Sequence, residues 1–347
     1  MFNTRPWLKH MLRIAVFCLV LLAAVLAAGH LVMPSSNRYL SGYTAGGVLG
    51  EKNNTVDVLV MGDSNTAQGI SPMEWYHTYG VTGYAYGEGW LSIYNIYYRL
   101  LQIFKEQSPK VVVVCADTIY SRRGEDTYTA AAVREISGEV FPLVRFHDEW
   151  KNMHLTEYFK ENNYTWRDVN KGFAPITDVS ANLYNAQEWN YMNVEDAQAE
   201  YVPVQMKWYL RRIRDLCRKH GADMLMIAVP ACTSWNYSRH LGATELAGEL
   251  GVPYVDYNLR EENPLGIDWR VDTPDGGSHL NVLGAQKLTD GLGEYLTAHY
   301  ALEDHRGQPG YEEWDEDCAQ YQEARQEIWD RARQEADHQL QTITENG

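Results

Sequence analysis

The sequence predicts an α/β protein, a three-layer α/β/α arrangement around a mostly parallel central sheet, with a membrane-spanning helix ahead of it. Three observations predict this. Short apolar strands alternate with helical segments from residue 56 to about residue 300, the pattern of a sheet whose strands are joined by crossover helices. One strand, Val111–Ala116, opens with four valines in a row, as a strand covered on both faces does. The chain also begins with an apolar run from Met11 to Met33, long enough to cross a bilayer, which takes about 20 residues.

The elements follow in order. Residues 1–10 form a short tail, and 11–33 the transmembrane helix. Arg5, Lys9 and Arg13 flank its start and predict a cytoplasmic N-terminus with the body outside the cell membrane. The small residues of Ala24–Gly29 leave a cleaved secretory signal as the alternative. Residues 34–55 are polar and rich in Gly and Ser, and read as a linker. Strands are expected at Val56–Met61, Gly83–Tyr86, Val111–Ala116, Met224–Val229 and Val252–Asp256. Helical spacing runs over Leu91–Phe104, Val202–His220, Leu241–Leu250 and Asn281–Tyr300. Residues 121–201 break the alternation and read as an insertion that caps the site. Residues 301–347 form a charged extension with apolar residues at helical intervals, packed on the outside of the domain.

At 347 residues, with 45% apolar residues, the chain has ample material for a core. Its formal net charge of −16 argues against nucleic acid as a partner. The same charge repels a polyanionic polymer unless the site itself is basic. The cysteines Cys18, Cys115, Cys217, Cys232 and Cys318 form no CxxC or Cys/His cluster. No metal site and no cofactor is expected.

The chemistry lies in two distant segments. The first strand ends in Gly62-Asp63-Ser64-Asn65, and far downstream stands Asp272-Thr-Pro-Asp275-Gly-Gly-Ser-His279-Leu-Asn281. A serine at a strand tip is held rigidly, and the helix that follows aims backbone N–H groups at a developing oxyanion. It needs a base to take its proton and an acid to orient that base. Ser64 is the candidate nucleophile and His279 the candidate base. A capping hydroxyl is the plainer reading of Ser64, and the histidine segment weighs against it.

These residues resemble the SGNH (GDSL) hydrolases over about Val56 to Tyr300. Within them the chain is similar to membrane-anchored extracytoplasmic proteins of Gram-positive bacteria, distantly including the one that completes D-alanylation of lipoteichoic acid. The resemblance implies a flavodoxin-like fold and a Ser-His-Asp site. Relatives carry the acid three residues before the histidine, where this chain has Gly276. Asp275 is therefore the favoured acid and Asp272 the alternative. The oxyanion hole implied is the Ser64 N–H with Gly89, the better fit of Gly87 and Gly89. An asparagine usual after the third strand is replaced by Asp117, and a carboxylate donates only when protonated. Asp63, Asn65, Asp117 and Trp235 are expected to line the substrate. Trp90 and Trp269 lie near the same strand ends, and 24 Tyr and 11 Trp against 7 Phe suit a sugar surface.

The resemblance implies a serine esterase or O-acyltransferase acting on an acyl-ester substrate, a cell-envelope glycan or teichoic polymer, with a membrane-bound acyltransferase as a possible partner. The displaced acid and the missing asparagine keep a second reading open, a catalytically inactive glycan-binding protein of envelope assembly. A lipase near the membrane is a third.

Overall fold

The computed structural model describes residues 5–40, 44–120, 141–146, 151, 163–188, 191–262 and 264–346. Most of the segment expected as a cap, 121–140, 147–150, 152–162 and 189–190, lies outside the described residues. The described residues fall into two compact units. The first holds α1 (Arg5–Val32) and, within 122–164, the short helix Pro142–Phe146. Trp7–Val32 has a mean hydropathy of 2.7 and is long and apolar enough to span a membrane. A Cβ at Gly29 would stand 3.4 Å from the Leu143 nitrogen, so α1 and that short helix pack closely.

The second unit, built from 37–120 and 165–346, contains a parallel sheet of five strands with helices on both sides. Its strands are β1 (Val58–Gly62), β2 (Gly83–Gly87), β3 (Val111–Cys115), β4 (Asp223–Ala228) and β5 (Tyr254–Asp256), in the order β2-β1-β3-β4-β5. The register sets Met61 beside both Tyr86 and Val114. Alternate residues face opposite sides: Val58, Val60, Val111, Val113, Leu225 and Ile227 share one core cluster with Ile70, Trp75, Leu288 and Leu292. The strand order reverses at the β1/β3 border, because the chain leaves β1 to one side and returns on the other. In such sheets ligands bind at the carboxyl ends of the strands at that border. Ser64 and Asp117 stand there.

The helices that position the site are α2 (Ser64–Gly69), α3 (Pro72–Tyr79), α4 (Ile93–Ile103), α5 (Val204–Lys219), α6 (Tyr237–Leu250), α7 (Val282–His299) and α8 (Glu312–Asn346). The starts of α2, α6 and α7 carry side-chain caps. Asn236 accepts from the Arg239 N–H, which carries α6 four residues ahead of the expected Leu241. Asn281 accepts from Leu283 and Gly284 at the start of α7.

Two segments differ from expectation. Residues 44–55 do not stand free as a linker: Ala45, Gly46, Gly47 and Val48 are buried. The glycines that suggest flexibility serve close approach instead. A Cβ at Gly50 would meet the Trp166 carbonyl at 2.0 Å, and one at Gly47 the Tyr84 hydroxyl at 2.3 Å. Within residues 165–182, expected in a cap, Lys171 and Gly172 lie against the edge of the sheet. The Ala85 N–H of the edge strand β2 donates to the Lys171 carbonyl at 2.9 Å, which covers an otherwise open edge. In α8, Trp314, Tyr321 and Trp329 are buried.

These pieces meet at Lys171, which is fully buried, with a left-handed φ of 50°. Its Nζ donates to both Glu51 oxygens at 2.8 and 2.9 Å and to Asp317 at 2.6 Å, over the Trp314 ring. One cation thus ties the expected linker, the insertion and α8 to the sheet edge. Burial pushes the Glu51 carboxyl up to about 7, against the pull of the Lys171 charge. Its folded value lies above the ordinary 4.5, so folding takes up a proton. Its share of stability is full below about 4.5 and lost as pH rises through about 7. Denaturant unfolding between pH 5 and 8 checks this: Glu51→Gln flattens the loss of stability toward pH 8. Lys171→Met destabilises by about 3–5 kcal/mol, because two buried carboxyls lose their partner.

Candidate active site

Ser64 is the first residue of α2, so its N–H has no acceptor within the helix. Asp63 caps this helix, with Oδ1 accepting the Asn65 N–H at 2.9 Å. The turn has no slack. A Cβ at Gly62 would meet the Thr66 hydroxyl at 2.0 Å, and that hydroxyl donates to Cys115 Sγ at 3.0 Å, joining α2 to the tip of β3.

Across the crevice, Ser64 Oγ lies 2.8 Å from His279 Nε2. His279 Nδ1 lies 2.5 Å from Asp275 Oδ2. The other Asp275 oxygen accepts the backbone N–H groups of Ser278 and His279, each at 3.0 Å, and the Thr273 hydroxyl at 3.3 Å. Burial raises the Asp275 carboxyl, but the His279 ring, the two N–H donors and the His279 charge outweigh it and hold the group below its usual range. Asp275 therefore stays ionised and fixes the ring with Nδ1–H toward it and Nε2 toward Ser64. The four-residue spacing closes because Gly276 and Gly277 adopt φ of 75° and 106°, where side chains are strained. A Cβ at Gly277 would also meet Cys232 Sγ at 2.1 Å.

Asp272 makes no hydrogen bond to His279. It is 1% exposed and bound by Lys287 Nζ at 2.5 Å and the Asp268 N–H at 2.7 Å. Trp235, expected to line the substrate, is a core residue: it is 3% exposed and its indole N–H donates to Asp256 at 3.0 Å. Trp269 is buried too, whereas Trp90 is 69% exposed. Trp90 follows Gly89 in a turn closed by the Leu91 N–H on the Glu88 carbonyl, and its φ of 63° is rare for a bulky residue. Gly89 sits at the end of β2, and its N–H has no protein acceptor among the described residues. Gly87 is packed against α2, where a Cβ would meet the Ala67 nitrogen at 2.4 Å. Asn65 donates from Nδ2 to Asp117 Oδ2 at 3.1 Å. Burial first, then the Asp117 charge, pushes the Asp63 carboxyl well above its usual range. All five cysteines are free, and no His, Cys, Asp and Glu cluster fit for a metal occurs among the described residues.

One part of the site carries no motif. Residues 176–182 brace the histidine loop from the side: Ser180 N–H donates to Thr273, Gly276 N–H to Ser180, and Val282 N–H to Ile176. Asn182 Nδ2 donates to the Gly276 carbonyl at 2.7 Å, and Asn281 Nδ2 to Val271 and Asp178. The stretch reads Ile176-Thr-Asp-Val-Ser-Ala-Asn182, with no periodicity or motif to signal this role.

No family model and no curated protein sequence matches the chain. Among solved structures it is similar to a GDSL-like lipase from Bacteroides thetaiotaomicron, at 12% identity and TM-score 0.35, over 70% of this chain and 88% of that one. It is also similar to a candidate acylhydrolase from Bacteroides fragilis, at 12% identity and TM-score 0.37, over 75% and 96%. At these scores the likeness adds nothing to what the geometry above says.

Two substitutions separate the carboxylates. Asp275→Asn lowers ester turnover by about 10³–10⁴-fold with the fold intact, since the ring loses its orienting acceptor. Asp272→Asn leaves the His279 contact in place and lowers the melting temperature instead. Steady-state kinetics on a small acetyl ester, beside thermal melts, checks the ranking, and the reverse order reassigns the acid.

Proposed function

We propose that this chain is a membrane-anchored serine esterase or O-acyltransferase of the SGNH (GDSL) type, acting through an acyl-enzyme. The observation that carries the reading is the continuous hydrogen-bonded chain from Ser64 through His279 to an ionised Asp275. In the reaction, Ser64 Oγ bonds to the ester carbonyl carbon as His279 Nε2 takes its proton. The Ser64 N–H, and the Gly89 N–H at the neighbouring strand end, donate to the oxyanion. His279 returns the proton to the departing alcohol. Water then completes hydrolysis, or a sugar hydroxyl completes transfer.

The substrate we infer is an acyl ester on a cell-envelope polymer outside the membrane. The length and hydropathy of Trp7–Val32 support a tether, and the basic residues at its start support an outside body. The charge of the site favours a neutral glycan over a polyanionic teichoic polymer. Asp63 and Asp117 stand beside the nucleophile, and Glu88 at the next strand tip already has Arg99 at 3.8 Å. A membrane-bound acyltransferase passing acyl groups outward is the partner such a tether would serve. The second reading, an inactive glycan-binding protein, is favoured by Asp117 standing where relatives have an amide donor.

A fluorophosphonate probe separates the two. It labels Ser64 in the purified full-length protein, and Ser64→Ala and His279→Ala abolish labelling while melting as the parent does. An unlabelled parent protein leaves only the binding reading. Extraction from membranes requires detergent; recovery as a soluble, shortened form points to signal cleavage.

A further inference from the structure

We propose that the outward face of α5 docks the body of this protein on an anionic lipid surface. The proposal goes beyond the acyl-transfer reading and is independent of the chemistry at Ser64.

α5 is a cationic helix in an acidic chain. Its 16 residues carry six of the chain's 30 Lys and Arg but one of its 46 Asp and Glu. It is therefore a positive patch on a body of the opposite sign. The helical period sorts its residues. Met206, Leu210, Ile213 and Cys217 are buried. Val204, Trp208, Arg211, Arg212, Arg218 and Lys219 are exposed, with Asp215 among them. The exposed set recurs at three- and four-residue intervals, so it forms one stripe. At 1.5 Å per residue the stripe is about 22 Å long. It is divided along its length. Val204 is 65% exposed and Trp208 48%, and Tyr201, just ahead of the helix, is 71% exposed. The first half is thus apolar and aromatic, and the second half holds the cations.

The positive charge is only partly answered. Lys207 and Arg211 share one carboxylate, Glu249 of α6, at 2.8 and 3.2 Å. Asp215 accepts from Arg214 at 2.7 Å. Arg212 donates to the Tyr97 hydroxyl at 2.8 Å and lies over the Tyr97 and Trp208 rings. Those partners are neutral, so they hold the guanidinium in place without cancelling its charge. The side chains of Arg218 and Lys219 have no partner among the described residues.

These features fit a bilayer better than a strand of polymer. The flank of a helix is convex, and a flat array of headgroups meets the whole stripe at once. Lipid phosphates accept from guanidinium and ammonium groups. Trp and Tyr settle at the headgroup level, where ring and polar tip both find partners. Helices that lie on membranes combine the same two elements, a cationic part and an apolar one. A tether such as α1 makes even a weak contact of this kind intramolecular. Right-handed crossovers place α4, α5 and α6 on one face of the sheet. Trp75 of α3 and Leu288 and Leu292 of α7 fill the core of the other face. α5 leads into β4 and runs against its direction, so Val204 and Trp208 stand toward the carboxyl ends of the strands. Docking through this stripe sets the crevice at Ser64 beside the lipid surface.

The test is residue-resolved footprinting by mass spectrometry on the full-length protein in nanodiscs. One set is made of phosphatidylcholine and the other of an equal mixture with phosphatidylglycerol. In the mixed discs at 50 mM salt, hydroxyl-radical oxidation of Trp208 and amine labelling of Lys219 slow by about threefold or more. Both recover at 500 mM salt, because screening removes the attraction. Lys287 of α7, on the far face of the sheet, labels equally in both sets. Equal rates for Trp208 and Lys219 in the two sets at low salt overturn the proposal, and so does protection that survives 500 mM salt. The triple variant Arg211→Gln, Arg218→Gln, Lys219→Gln, melting as the parent does, loses the protection of Trp208; retained protection rejects the electrostatic dock. Should that variant not fold, the salt series on the parent decides alone. Soluble polyphosphate added to phosphatidylcholine discs leaves both rates unchanged. Protection by polyphosphate with none from the mixed discs makes the stripe a polymer site and overturns the bilayer assignment.

Discussion

The hydrogen bond between Ser64 and His279 joins a strand tip to a loop more than two hundred residues later, and each partner is held by a different kind of constraint. The serine is held by the sheet. β1 lies between β2 and β3, so its tip cannot shift without breaking two ladders. The histidine sits in an aperiodic loop with no ladder of its own. Its rigidity comes from a carboxylate that accepts from both its backbone and its ring, and from the strip 176–182 bonded along its flank. A loop anchored in this way loses little entropy on reaching the reactive geometry, which is what an oriented base requires.

The same strip continues back to the sheet edge. Phe173 is fully buried, Ala174 donates to the Ala67 carbonyl of α2, and Lys171 covers β2. The buried ion cluster of Lys171, Glu51 and Asp317 is therefore connected by one short run of backbone to the helix that carries Ser64 and to the loop that carries His279. Buried ion clusters contribute little net stability but punish loss of a partner. Here the cluster joins three segments that are far apart in the chain.

The charge of the site shows a similar economy. The chain carries a net charge of −16, yet the carboxylates at the site have separate environments. Asp275 is surrounded by donors and stays ionised. Asp63, capping a helix beside a second carboxyl, is driven toward its neutral form by burial and by that neighbour. Asp272 is neutralised by Lys287 and serves the fold. Residue type alone does not distinguish these three tasks; the donors around each one do.

The alternation of strands and helices, the sheet's parallel character and the long apolar helix at the N-terminal end were legible in the sequence, because burial on two faces and a long unbroken apolar run leave a local pattern. Ser64 and His279 were legible for the same reason: each sits in a short motif at an element boundary. The core position of Trp235, the burial of the supposed linker and the bracing by residues 176–182 were not, and the sequence ranked Asp275 ahead of Asp272 while leaving both open. Each depends on which distant surface a segment meets. A glycine read as flexible becomes a point of close contact at Gly50, and an aromatic residue near a strand end becomes core at Trp235. The sequence by itself determined the layered fold and the two chemical segments. Tertiary structure alone decided which carboxylate turns toward the imidazole, because that depends on two left-handed glycines and a neighbouring strip of chain whose contacts leave no periodic trace.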